Sequence, residues 1–406
     1  MRNRSIGLTL FSGVAILVAA CGGGATPSPS ASTAPPASAP PASTEPSGEA
    51  SPAASAASSD LKIGLVTDVG TLDDKNFNQY SWEGAQDGAT KIGAPAPQSA
   101  VSQVSEDIAK NIQAFVDQDY DAIVTVGFAA GADTAAAAKA NPDIKFIGVD
   151  QSFICIDEKG DADTTPAGAP DCNGAGDAAT LIPNRVGIGW KEQQPGYLAG
   201  IVAGSLSKSG HIAAIGGTAA VPAVPNYILG YRNGARSVKS DIKVEISYVS
   251  AAADKAAFGD PPGGQAFATQ ILTQFPDVDV MFQVAGATGN GVLQAACDKG
   301  IMAIGVDVDQ FISAPATAKC TVVSAEKKLK KNVSDAIIRV ADGSFKGGPL
   351  VLDLSTDDVG LSPFHDFESQ ITPDIQGKID AAIAAFKDGS LMGCEETPFG
   401  SCDQTK

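Results

Sequence analysis

The chain has 406 residues with 46 acidic and 28 basic side chains, a formal net charge of −18. A field of that sign disfavours binding to phosphate backbones, so nucleic acid is not an expected partner. Only two histidines are present, His211 and His365, and neither sits in a ligand spacing, which disfavours a histidine metal cluster or a mechanism needing several imidazoles.

The amino terminus reads as an export signal. Arg2 and Arg4 precede an apolar run, 6–20, too short to span a bilayer and ending in Val18-Ala19-Ala20-Cys21. The arrangement resembles a bacterial lipobox, which implies a lipidated Cys21 as the mature first residue, held at the membrane by about 0.8 kcal/mol per buried methylene. The plainer alternative is an ordinary cleaved signal beside an accidental cysteine. Residues 22–59 are Gly, Ala, Pro, Ser and Thr with two glutamates, too little apolar surface to repay ordering, and are expected to form a disordered tether. The folded part then runs over 60–406, long enough for two lobes.

Six further cysteines, Cys155, Cys172, Cys297, Cys320, Cys394 and Cys402, form an even set in an exported chain. The pairing of neighbours in sequence, 155 with 172, 297 with 320 and 394 with 402, is one of about 15 connectivities, with buried free thiols as the alternative.

From residue 61 short apolar runs alternate with longer amphipathic stretches. Strands are expected over 63–66, 122–126 and 146–149, with helices over 78–92 and 132–140 between them. Runs apolar on both faces belong in a parallel sheet covered by helices, giving a three-layer α/β lobe. A polar, Gly-rich insertion over 156–184 follows. The alternation then restarts with strands at 186–190, 211–215, 244–249, 278–283 and 303–306 and helices at 198–206, 227–238, 265–275 and 291–299. Lobe 1 is therefore expected over about 60–184 plus 311–345, and lobe 2 over about 185–310 plus the C-terminal part.

In open α/β sheets, ligands bind beyond the carboxyl ends of the strands. That rule selects Asp68 and the loop through Asn76 and Phe77, then Asp150 and Asp307 at two later strand ends. The plainer reading has Asp74 or Asn76 capping the helix while Phe77 staples the turn to the core, and Asp150 and Asp307 acting as caps or Asx turns. The run from Gly286 to Gly291 permits close backbone approach but lacks a P-loop lysine and the dinucleotide spacing. Phe258 offers an aromatic from the second lobe, and Lys327 stands in a basic run that could equally be a solvated helix face.

Together these stretches resemble the basic membrane protein (PnrA-like) family of substrate-binding lipoproteins that serve ABC transporters. The matching runs are Asp68-Val69-Gly70, Asn76-Phe77-Asn78-Gln79, Trp82-Glu83-Gly84, Phe146 to Asp150, Gly196 to Gly200, Phe258 to Pro261, Phe282 to Gly291 and Ala303 to Asp307. The resemblance implies a type I periplasmic-binding fold, two lobes joined by three crossovers and closing on a ligand, with a permease as partner. Purine nucleosides are the best-known ligands of the family's nucleoside-binding members. By resemblance, Phe77 and Phe258 sandwich a base and Asn76 and Asp150 read its edge. Asp307 and Lys327 hold ribose hydroxyls, while Asp68 and the backbone near Gly286 line the cleft. Lys328 competes for the lysine role, and Tyr227 or Phe267 for that of Phe258. The 156–184 insertion and the 393–406 tail lie outside the family pattern.

Three other functions stay open at this level, one of them a ligand sensor that signals to a membrane partner without transport. A receptor for a sugar or another small polar metabolite is favoured if Phe77 and Phe258 do not face one another. A nucleoside hydrolase or phosphorylase would need a nucleophile beside a base, or a phosphate site, and neither is visible. Nothing in the sequence calls for a metal, a cofactor or an oligomer, so a monomer without either is expected.

Overall fold

In the computed structural model, residues 59–151, 155–156, 162–163, 182–396 and 402–405 are described. The signal with Cys21, the tether, the Cys155–Cys172 pairing and nearly all of the 156–184 insertion lie outside the described residues.

Two six-stranded sheets organise the chain. The first is built from β1 (Ile63–Val69), β2 (Gln98–Ser102), β3 (Ala122–Val126), β4 (Lys145–Val149), β7 (Arg185–Trp190) and β13 (Gly348–Leu352), in the order β13-β7-β4-β3-β1-β2, all parallel. A short ladder of β5 (Cys155–Ile156) and β6 (Ala162–Asp163) stands apart. The second sheet comprises β8 (His211–Gly216), β9 (Lys243–Tyr248), β10 (Val280–Val284), β11 (Met302–Asp307), β12 (Thr321–Lys327) and β14 (Val359–Leu361). Its order is β14-β12-β11-β10-β8-β9, with only β14 antiparallel. The central strands β3 and β10 are buried at every position, because helices cover both faces.

The helices are α1 (Phe77–Lys91), α2 (Glu106–Val116), α3 (Gly131–Ala140), α4 (Gln193–Leu206), α5 (Ala223–Val238), α6 (Lys255–Phe258), α7 (Pro261–Gln274), α8 (Gly286–Lys299), α9 (Gln310–Ser313), α10 (Leu329–Ala341) and α11 (Pro373–Lys387). The α4–α5 contact is unusually close: a Cβ at Gly200 would run into the carbonyl of Tyr231, so only glycine fits there.

Sheet membership moves the expected lobe boundaries. The strand expected at 186–190 in lobe 2 is β7, which pairs with β4 and β13 in the first sheet. The 311–345 stretch was assigned to lobe 1 as a block, and it splits: β12 pairs with β11 in the second sheet, while α10 packs on α1 of the first lobe. An apolar run suits a buried strand in either sheet, so its composition does not choose a partner. The sequence reading also passed over β2 and α2. β2 is an edge strand with four of its five residues at least partly exposed, whereas Ile108, Ile112 and Phe115 of α2 form a regular apolar stripe that was there to be read.

The chain crosses between lobes three times, after β7, β12 and β13. The crossings are tied together: Trp190 Nε1 donates to Asn332 Oδ1 at 3.1 Å, and Asn332 Nδ2 to Asp358 Oδ1 at 2.7 Å, one residue from each crossing. Cys297 is bonded to Cys320 with Cα atoms 5.5 Å apart, and Cys394 to Cys402 at 5.7 Å.

Candidate functional site

The carboxyl ends of both sheets meet around a cavity walled by aromatic rings, carboxylates and one ammonium, the kind of lining that takes a small polar organic ligand. Seven of the eight residues singled out from the sequence line it: Asp68, Phe77, Asp150, Phe258, Gly286, Asp307 and Lys327. Asn76 does not. It is fully buried at the N-cap position of α1, yet its side chain makes no capping bond and neither amide atom has a hydrogen-bond partner. The carboxylate of Asp74 caps the helix instead, accepting from the N–H groups of Asn76, Asn78 and Gln79 at 2.9–3.0 Å. Asp74 and Asn78 are the members of this loop that reach the cavity beside Phe77.

Asp150 and Asp307 occupy corresponding places at the carboxyl end of the fourth strand counted from the β2 or β9 edge: Asp150 directly follows β4, and Asp307 is the last residue of β11. Both adopt left-handed backbone conformations, φ 57° and 65°. Aspartate tolerates that region better than most side chains, and strain of this kind is typical of residues aimed at a ligand.

Lys327, at the end of β12, is the electrostatic centre. Its ammonium lies 2.8 Å from both carboxylate oxygens of Asp150, 3.4 Å from Glu192 and 3.8 Å from Asp307, which makes it a bridge between lobes. The rings of Phe77, Trp190 and Tyr227 stand 5.1–5.7 Å from the same nitrogen. Burial works against its charge and the three carboxylates outweigh it, so its pKa is raised. Lys328, the rival lysine, pairs with Glu326 and does not line the cavity.

The sequence reading missed Glu192 and Trp190 and left Tyr227 only as an alternative. Glu192 follows a strand end, so the carboxyl-end rule was able to find it. Tyr227, near the start of α5, lines the cavity and donates its hydroxyl to Asp307 Oδ1 at 3.3 Å. Phe267, the other alternative, packs into the outer core of lobe 2. Two more bonds join the lobes: Asn290 Nδ2 to the Asp74 carbonyl at 2.9 Å and Ser313 Oγ to the Lys75 carbonyl at 2.8 Å.

Burial pushes Asp307 up to about 7, against the pull of Lys327 and with help from Asp150 and Glu192. Burial likewise lifts Asp68 to about 6, opposed by the Val69 N–H and aided by Asp150. A carboxyl whose folded pKa is raised adds stability that is fully present below the unfolded value near 4 and is lost as pH rises through the folded one. The ligand-free protein should therefore lose thermal stability between pH 4 and 8. Asp307→Asn should flatten that slope between about pH 4 and 7, the interval between its unfolded and folded values, as followed by calorimetry in a pH series; an unchanged slope would show that Asp307 is ionised throughout.

His211 lies at the amino-terminal end of β8, away from the cavity, between Glu245 and Asp277. His365 pairs with Asp309 at 2.7 Å and stacks on Phe311. Neither lines the cavity.

The model of the family "ABC transporter substrate-binding protein PnrA-like" matches residues 62–386. The chain belongs to this family. It is 30% identical over 311 residues to the ABC transporter nucleoside-binding protein BmpA of Lactococcus lactis subsp. cremoris, covering 72% of this chain and 78% of that one. It is 28% identical over 355 residues to the CD4+ T-cell-stimulating antigen of Listeria monocytogenes, covering 82% and 88%. Among solved structures, an ABC transporter solute-binding protein from Aeropyrum pernix K1 superposes with a TM-score of 0.66 at 21% identity, covering 81% of this chain and 92% of that one, a likeness of fold. The protein is thus a substrate-binding protein of an ABC transporter with the periplasmic-binding-protein architecture. Its role is that of a receptor for a small solute and its partner is the transporter.

Proposed function

We propose that the protein is an extracytoplasmic, lipid-anchored receptor that binds a nucleoside, with purines preferred, between its lobes and delivers it to an ABC importer. The observation that carries this reading is the shared cavity wall. Phe77 from lobe 1 and Phe258 from lobe 2 line one space together with Asp68, Asp150, Asp307 and a single cation, Lys327. Two aromatic rings suit a flat base, and carboxylates suit N–H and hydroxyl donors. The amide of Asn78, which lines the cavity beside Phe77 with an unpartnered Oδ1, has a hydrogen bond to offer a base edge. Asp307 and Lys327, 3.8 Å apart, suit vicinal ribose hydroxyls. Anchoring rests on the Arg2-to-Cys21 pattern. Among the described residues no helix is long and apolar enough to cross a membrane.

Isothermal titration with inosine, guanosine, adenosine, cytidine and ribose, after unfolding and refolding to strip carried ligand, tests the reading. Submicromolar binding of a purine nucleoside is expected. Its 5′-monophosphate should bind at least about 100-fold more weakly, because a dianion would meet several carboxylates and one lysine, and an unpaired buried charge costs several kcal/mol. Affinity should fall as pH drops below 7, since protonated Asp307 no longer accepts two hydroxyl bonds. Binding of ribose alone with no response to nucleosides would replace this reading with that of a sugar receptor.

A further inference from the structure

Glu192 sits at the first lobe crossing, between β7 and α4, and is 4% exposed although it does not line the cavity. One of its oxygens lies 3.4 Å from Lys327 Nζ, and the other accepts from Asn226 Nδ2 at 3.0 Å. The remaining acceptor of that amide, Asn226 Oδ1, is taken by the backbone N–H of Cys402 at 2.7 Å. Cys402 is covalently tied to Cys394. Glu396 accepts from Lys191 Nζ at 3.1 Å and Gln193 Nε2 at 2.6 Å, the residues on either side of Glu192. The carbonyl of Gly393 accepts from Asn233 Nδ2 at 2.8 Å. The C-terminal segment is therefore bonded, directly or through Asn226, to three consecutive residues of the crossing.

Asp150 and Asp307 line the cavity, and a bound solute competes with Lys327 for them. Glu192, off the cavity wall, has one oxygen on Lys327 and the other on Asn226. It is the counter-charge that stays on Lys327 when the other two turn to a ligand.

We infer that Glu192 and Asn226 are positioning residues for the Lys327 ammonium, and that the Cys394–Cys402 cross-link holds Asn226 in place. The C-terminal segment would thereby set the ligand affinity of a cleft that it does not enter. The affinity part of this inference rests on the nucleoside reading; the positioning part does not.

Two readouts on the full chain test it: inosine affinity by calorimetry, and the ¹⁵Nζ NMR signal of Lys327 in the ligand-free protein, assigned by its loss in Lys327→Met. Glu192→Gln, Asn226→Ala and the pair Cys394→Ser with Cys402→Ser should each shift the Lys327 signal. Each should weaken inosine about 10-fold, the effect of perturbing one charge-assisted contact. Adding the cysteine pair to Asn226→Ala should cost less than about twofold more, because coupled groups are not additive. The pair Cys297→Ser with Cys320→Ser, at the opposite end of β12 from Lys327, should lower the melting temperature and leave both readouts unchanged. An unshifted Lys327 signal with wild-type affinity in the Cys394/Cys402 pair, or losses that multiply independently with Asn226→Ala, would overturn the inference. A shifted signal in a protein that binds no nucleoside would uphold the positioning role and sink the nucleoside reading.

Discussion

Lys327→Met is expected to reduce nucleoside affinity by at least about 100-fold, since charge-assisted hydrogen bonds contribute roughly 1.5–3 kcal/mol each and two are lost or distorted. The reason goes beyond the missing contact. Asp150, Glu192 and Asp307 all lie within 3.8 Å of that ammonium, and removing it leaves three carboxyl groups, two of them buried, facing one another without a cation. Breaking a buried ion pair from one side typically costs 3–5 kcal/mol, so the melting temperature should drop by about 10 °C near pH 8. The deficit should shrink toward pH 5, because carboxyl groups with raised pKa values take up protons and the repulsion disappears. Calorimetry of wild type and variant at both pH values reads all of this. A variant with wild-type affinity and a pH-independent melting deficit would show that Lys327 is a structural cation only.

Phe77→Ala and Phe258→Ala carry the second large effect. Base–aromatic stacking is worth about 1–3 kcal/mol per ring, so each should weaken a nucleoside by roughly 5- to 150-fold. Both side chains are only partly buried, so truncation should leave the melting temperature within a few degrees of wild type. Titration of each variant with inosine and with ribose separates stacking from sugar recognition: the loss should appear for inosine alone. If Phe77→Ala weakens inosine and Phe258→Ala does not, the second stacking surface is Tyr227, whose ring lines the same cavity.

Sequence alone determined the export pattern, the alternation of buried strands and amphipathic helices, and the carboxyl-end positions of Asp68, Asp150 and Asp307. These are local properties: periodicity follows from the geometry of one element, and a strand end is visible where an apolar run meets a turn. Phe77 and Phe258, 181 positions apart in sequence, were matched to one site through the family resemblance and brought together by the fold. Tertiary structure decided which sheet each strand joins, because runs such as 185–190 and 321–327 are equally apolar in either lobe and only pairing partners distinguish them. It also decided that Asp74, not Asn76, takes the helix cap. Last, it set the surroundings of Lys327. A lysine in a basic run reads as a solvated face until two strand ends, one from each lobe, and the first crossing bring Asp150, Asp307 and Glu192 around it; burial and pairing belong to the assembled lobes and to no segment by itself.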